Sequence, residues 1–454
     1  MLGRRRALDD LRFILGDWLD APAAADWADA TRAPFSIHVG DRSLTSNENS
    51  WTHSVQDGVI VSVGAVAEWL VYSWWRLRWE TCPDSKMPSI EWRVAHELAS
   101  AGEGFVWPAI GFAPDLSSMR VRSRLARDRK AQSVRYLDSL DSPATVSFAT
   151  FDSQACALID AVAARLEKTG SASTLPDNWR QLQEEIADPE LAHWRRIEAQ
   201  LGYYPDRGPQ SVIEQAHSLE DALGEQIAAE VLPAYWDIPG PERVRECESL
   251  IESDGLEATP DEVTPLAINS EGLDQPWRVG VAAAKKLRRD RGVSTDLLPT
   301  RSLCDWLGIA WDAYQSDAPP SGIRRVGLAI SRKERRYRFH LRKRPEEARR
   351  FELARALGDL VLSGTAADQS LAWTDMATCR QQYQRAFAAE LLCPIAAICE
   401  TAFDARDIDM DELDEQAYRF KVSEWVVWHQ LQNNFRQTES ASWWGTPGVG
   451  ASAE

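Results

Sequence analysis

Between Arg350 and Leu362 the chain reads Arg-Phe-Glu-Leu-Ala-Arg-Ala-Leu-Gly-Asp-Leu-Val-Leu, and no other run constrains the fold as much. Phe351, Ala354, Leu357, Gly358 and Val361 recur at the spacing of one helix face, while Glu352, Arg355 and Asp359 share the opposite polar stripe. Glu352 and Asp359 flank Arg355 at helical spacing, so the pattern predicts a guanidinium held between two carboxylates. On a solvated face such pairs contribute about 0.2 to 0.5 kcal/mol each. In a buried stripe the charges must compensate one another.

A zinc peptidase helix of the H-E-x-x-H type carries two His at i and i+4, with a Glu between them that activates water. In register with that pattern stand Arg355 at the first His, Ala356 at the Glu and Asp359 at the second His. Downstream runs Phe387-Ala388-Ala389-Glu390-Leu391-Leu392-Cys393-Pro394, preceded by Gln381, Gln382 and Tyr383, and later comes Phe420-Lys421-Val422-Ser423. Over residues 277 to 435 these segments resemble the ImmA/IrrE family of bacterial zinc metallopeptidases. Its helix usually reads R-F-T-L-A-H-E-L-G-H, its third ligand is a Glu ahead of a segment like F-A-A-E-L-L-M-P, and F-x-V-S opens its last helix. The resemblance implies a mostly helical, zincin-like domain with a small sheet. Every ligand position departs from the family pattern, which implies a degenerate member with no catalytic residue, no metal and no cofactor. Such a pseudopeptidase would act as a protein-binding or regulatory component in a bacterial stress-response, toxin-antitoxin or phage-defence setting.

Charge distribution supplies a candidate binding surface. The chain carries a formal −18, which argues against binding nucleic acid with its whole surface. Residues 237 to 274 hold eleven acidic residues against two basic ones, whereas 324 to 350 hold twelve basic residues against three Glu. Within the basic island, segments 326–330 and 337–341 read as a strand pair, with Arg336, Arg338, His340 and Arg342 alternating onto one face. Arg332, Lys333, Arg335, Arg336, Arg338, His340 and Arg342 are therefore the candidate binding residues. Three occupants compete for them: an acidic protein segment, nucleic-acid phosphates, or the chain's own acidic stretch. A nucleic-acid-associated regulator is thus the alternative function. A hydrolase with a non-standard site drawn from Asp359, His340 and Cys379 is the second alternative, although Ala356 supplies no general base.

The N-terminal part differs in kind, since nine of the 20 Trp fall before residue 110. A strand at 59–63 leads into a helix at 65–79 that is apolar along Val66, Trp69, Leu70, Trp74 and Leu77 and again along Tyr72, Trp75 and Trp79. Such a helix must be covered on two sides. Arg120, Arg122 and Arg124 alternate on a predicted strand, as charge does on solvated sheet edges, with Arg127, Arg129 and Lys130 beyond. The expected organisation is an α+β chain. A Trp-rich α/β domain (1–170) is followed by a helical connector (171–236), an acidic linker (237–276), the peptidase-like domain (277–435) and a tail (436–454) containing Trp443-Trp444. Seven scattered Cys without a C-x-x-C pair, and the lack of a long apolar run, predict a cytoplasmic protein with no membrane contact.

Overall fold

A computed structural model describes residues 10–20, 26–83, 88–115, 118–125, 133–235, 238–261, 275–294, 297–318, 325–332, 334–364, 369–399 and 410–435. Lys333, Arg127, Arg129, Lys130 and the tail from 436 lie outside the described residues. Helices joined to small antiparallel sheets give the α+β fold that the sequence predicts. The chain divides into two compact units, one within Ala7–Ile213 and one within Glu214–Glu439.

In the N-terminal unit, β1 (Leu11–Leu15), β2 (Arg32–Val39), β3 (Arg42–Ser43) and β6 (Val59–Ser62) form one antiparallel sheet, with β2 pairing all three others. A smaller sheet joins β4 (Asn47–Asn49), β5 (Ser54–Gln56) and β9 (Val134–Tyr136). A third has the order β10 (Ala144–Ser147), β8 (Ser118–Arg124), β7 (Ala109–Asp115).

Helix α1 (Val63–Trp79) follows β6 directly. Its stripe of Val66, Trp69, Leu70, Trp74 and Leu77 is buried, and so is Trp75 on the second stripe, while Tyr72 is exposed beside Tyr204. Two-sided covering therefore holds for α1, and most of its Trp surface is core. The arginine alternation at 120–124 is not a sheet edge. Strand β8 is the centre of its sheet, Arg120 and Arg122 are buried, and only Arg124 is exposed. Alternation in sequence marks one face of a strand but does not reveal whether that face is wet.

The C-terminal unit is built on a sheet of order β11 (Leu256–Ala258), β13 (Tyr337–His340), β12 (Gly327–Ser331), β14 (Leu371–Trp373), antiparallel throughout. Beside it lie α2 (Glu225–Val231), α3 (Gly240–Glu252), α4 (Pro276–Asp290), α5 (Glu346–Ser363), α6 (Cys379–Leu392) and α7 (Glu424–Phe435). Helices α4 and α5 each approach α6 closely at a glycine. A Cβ on Gly280 would stand 2.5 Å from the Tyr383 carbonyl oxygen, and one on Gly358 would stand 2.7 Å from the Phe387 ring.

The stretch expected to be an acidic linker is structured where it is described. It forms α3 and then β11, which pairs with β13 of the basic island at Leu256↔Phe339, Glu257↔Arg338 and Ala258↔Tyr337. Leu256 and Ala258 enter the core while Glu257 points out, the period-two pattern of a half-buried strand. Three residues were too few to stand out amid the surrounding charge.

Candidate functional site

Helix α5 begins after Pro345 with Glu346 and Glu347 in its first turn, where carboxylates favour the positive helix end, and it stops at Gly364 with φ 77°. Its polar stripe is not solvated: Glu352, Arg355 and Asp359 are all buried, as are Leu353, Ala356, Leu357 and Leu360. Buried charges need partners, and these come from other elements.

The expected triplet on α5 does not form. Glu352 accepts from the Arg342 backbone N–H at 2.7 Å and from Arg342 Nε at 2.7 Å, and Arg342 Nη1 also reaches Asp375 at 3.1 Å. Asp359 accepts from Arg380 through both oxygens, with Nη2 at 2.6 Å and Nε at 2.9 Å. Arg355 is left with neutral acceptors. Its Nη2 donates to the Thr374 carbonyl at 2.7 Å, to Gln381 Oε1, and to Gln384 Oε1 at 3.3 Å.

Helix α6 supplies most of these partners. Thr378 caps it, accepting from the Gln381 N–H at 3.3 Å and donating to Glu230 of α2 at 2.8 Å. Gln381 bridges two charges, since its Oε1 faces Arg355 while its Nε2 donates to Glu230 Oε2 at 3.2 Å. Gln382 instead bonds the Ala377 carbonyl, and Tyr383 packs on Phe387. Of the three residues ahead of Phe387, it is therefore Gln381 that meets Arg355. Glu230 escaped sequence reasoning because one Glu in an ordinary helix carries no local sign of burial.

Electrostatics sort the arginines. Burial opposes the charge of Arg380, but Asp359 outweighs it and pushes Arg380 above its ordinary value; Glu352 and Asp375 do the same for Arg342. For Arg355 burial wins, aided by Arg342 and Arg385 and opposed by Asp375 and Glu352, and brings the guanidinium down to about 9.

These residues do not fit a zinc ion. Ala356 has no donor atom, Arg355 is a cation, and both oxygens of Asp359 are taken by Arg380. Among the described residues no group of three or more His, Cys, Asp or Glu could hold a metal. His340 is buried on β13 with Nδ1 3.3 Å from Ser253 Oγ, and Cys379 starts α6 immediately before Arg380.

The basic island divides in two. Arg332, Arg335 and Arg336 are exposed at the β12–β13 turn, where Glu334 and Arg335 have positive φ. Arg338 pairs with Glu257 at 3.1 Å, and His340 and Arg342 are buried. Of the predicted face only Arg336 is exposed, together with Arg332 and Arg335 of the turn, and Arg338, His340 and Arg342 are engaged with other parts of the chain. Part of the acidic stretch does cover part of the island, through β11.

The segment 420–423 and the last helix lie in the same unit. Phe420 and Val422 are buried ahead of α7, which buries Val427 and Leu431 and leaves Trp425 63% exposed, stacked on Trp428 at 5.0 Å. No family model matches the chain, and neither does any curated protein or solved structure. No helix among the described residues is long and apolar enough to cross a membrane.

Proposed function

We infer that the C-terminal unit is a peptidase-like scaffold whose catalytic centre has been replaced by a polar lock, and that it works as a non-catalytic protein-binding or regulatory module. The observation that carries this reading is the contact between Arg355 and Gln381. Arg355, at the first His of the H-E-x-x-H register, meets Gln381, one of the three residues that stand where the ImmA/IrrE pattern places its third ligand. In place of donors around an open coordination site, the two side chains hydrogen-bond to one another. With no general base at Ala356 and no free oxygen on Asp359, binding is the activity that remains.

The test is to restore the ligands. A variant with Arg355→His, Ala356→Glu, Asp359→His and Gln381→Glu, plus Arg380→Gln so that no cation is stranded, should bind close to one zinc per chain. The unaltered protein should hold none in stoichiometric amount. A folded variant with the native circular-dichroism spectrum that takes up no zinc would show that these positions do not have peptidase geometry.

A further inference from the structure

Helix α7 carries an aromatic surface that faces water. Trp425 and Trp428 are one turn apart and stack at 5.0 Å with their planes 4° apart, and Trp425 remains 63% exposed. His429 lies 4.8 Å from one ring and 5.0 Å from the other, nearly perpendicular to both. It therefore stands beside the stack and leaves the outer face of Trp425 open. The face of an indole is electron-rich and attracts cations. Elsewhere in the described chain Trp18, Trp79, Trp277 and Trp306 each have an arginine over the ring, at 5.2 to 5.9 Å. Among the described residues no arginine or lysine lies over Trp425.

Carboxylates border this face. Over residues 410–424 five exposed acidic side chains stand against Arg419 and Lys421, and Arg419 is turned onto the Phe420 ring at 4.9 Å. Glu424, next to Trp425 in the first turn of α7, shares a side-chain hydrogen bond with Asp414, which pushes the Glu424 carboxyl above its ordinary value. Two carboxylates this close repel one another when both are ionised, and a cation between them removes that cost. Asp411, Asp414 and Tyr418 follow at helical spacing on the helix Met410–Phe420, and Tyr418 is 88% exposed. Acidic and aromatic positions thus continue for about 10 Å along that helix, further than a single ammonium or guanidinium group extends.

We propose that α7 and the helix before it form the docking surface for a basic segment of a partner protein, with one arginine over the outer face of Trp425 and a second cation held by Asp414 and Glu424. Charge complementarity selects this occupant. A guanidinium lies flat on an indole while its N–H groups donate to carboxylates at the rim. An acidic segment or a nucleic acid would meet like charge here. The proposal rests on the protein-binding reading of this unit and names the chemistry of the partner.

The probe is a fluorescently labelled hexamer of Arg, with a hexamer of Glu as control, titrated with the full chain and read by anisotropy. The Arg hexamer should bind and the Glu hexamer should not. Trp425→Leu keeps apolar cover on Trp428 but removes the aromatic face, and it should weaken binding about fivefold or more; Trp425→Tyr should retain most of it. Asp414→Asn with Glu424→Gln should weaken binding to a similar extent. Those carboxylates are exposed, so this variant tests the site even where a change at Trp425 disturbs packing on Trp428. Glu242→Gln with Glu246→Gln makes the same change of charge at exposed positions of α3, and Trp51→Ala removes an 82% exposed Trp of the N-terminal unit. Neither should weaken binding by as much as about twofold, since distant charges are screened. Binding that is unchanged in Trp425→Leu overturns the proposal. So does an equal loss in the Glu242 and Glu246 variant, which reduces the attraction to the chain's net −18. Sedimentation of the chain alone covers the other occupant: self-association that Trp425→Leu abolishes and the Arg hexamer does not displace makes this face a contact between copies and overturns the partner assignment. Zinc uptake by the restored-ligand variant reads the scaffold separately, so either result can fail without the other.

Discussion

Asp359→Ala should destabilise the protein by about 3 to 5 kcal/mol, because it removes the one carboxylate paired with the buried Arg380 guanidinium and leaves only the field of Glu230 to offset its charge. Arg380→Met strands Asp359 in the same way and should cost a similar amount. Removing both charges with Asp359→Leu and Arg380→Met should cost far less than the two single changes together, since the desolvation of both ions is recovered. The measurement is the urea midpoint at unchanged slope. If the double variant is as unstable as the sum of the singles, the pair is not acting as a buried ion pair. The pair ties α5 to α6 across a buried contact.

Acid should weaken the N-terminal unit through Glu80. This carboxylate is buried, accepts from Arg76 Nε at 2.7 Å and Nη2 at 3.0 Å, and lies 3.1 Å from His96 Nε2. The His96 ring stacks on Trp92 at 4.1 Å, with its Nδ1 2.8 Å from the Phe112 carbonyl. Burial alone would raise the Glu80 pKa, but Arg76 and His96 together outweigh it and bring it down to about 2. A carboxylate with a depressed folded value stabilises the fold above its unfolded value. That stability is lost as pH falls from about 4.5 towards 2, and amounts to about 3 kcal/mol. Urea midpoints of the native protein and of Glu80→Gln, compared between pH 6 and pH 2.5, should therefore converge as the pH drops. Parallel profiles would mean that Glu80 contributes nothing specific in this window.

How much was legible varies with the kind of signal. The apolar spacing of Val66, Trp69, Leu70 and Trp74 and of Ala354, Leu357 and Val361 identified two buried helices, because helical periodicity records burial directly. Ser423 ahead of the last helix and Pro394 after α6 were readable as start and stop signals, which also act locally. The three-residue strand β11 was not, since its period is too short to detect within an acidic stretch. Nor were the exposures of Arg120 and Arg122, or of His340 and Arg342. Those depend on which other strands and helices lie alongside.

The same division runs through the candidate site. Sequence alone determined that a helix spans the 350s, that it carries Glu352, Arg355 and Asp359 on one stripe, and that the H-E-x-x-H donors are missing from it. Only the tertiary structure decided which charge meets which. Residues three or four apart on a helix are close enough to pair, but Arg342 and Arg380 reach Glu352 and Asp359 from other elements with shorter, two-point geometry. A buried carboxylate takes the partner that satisfies most of its lone pairs, and that partner is fixed by packing at long sequence separation.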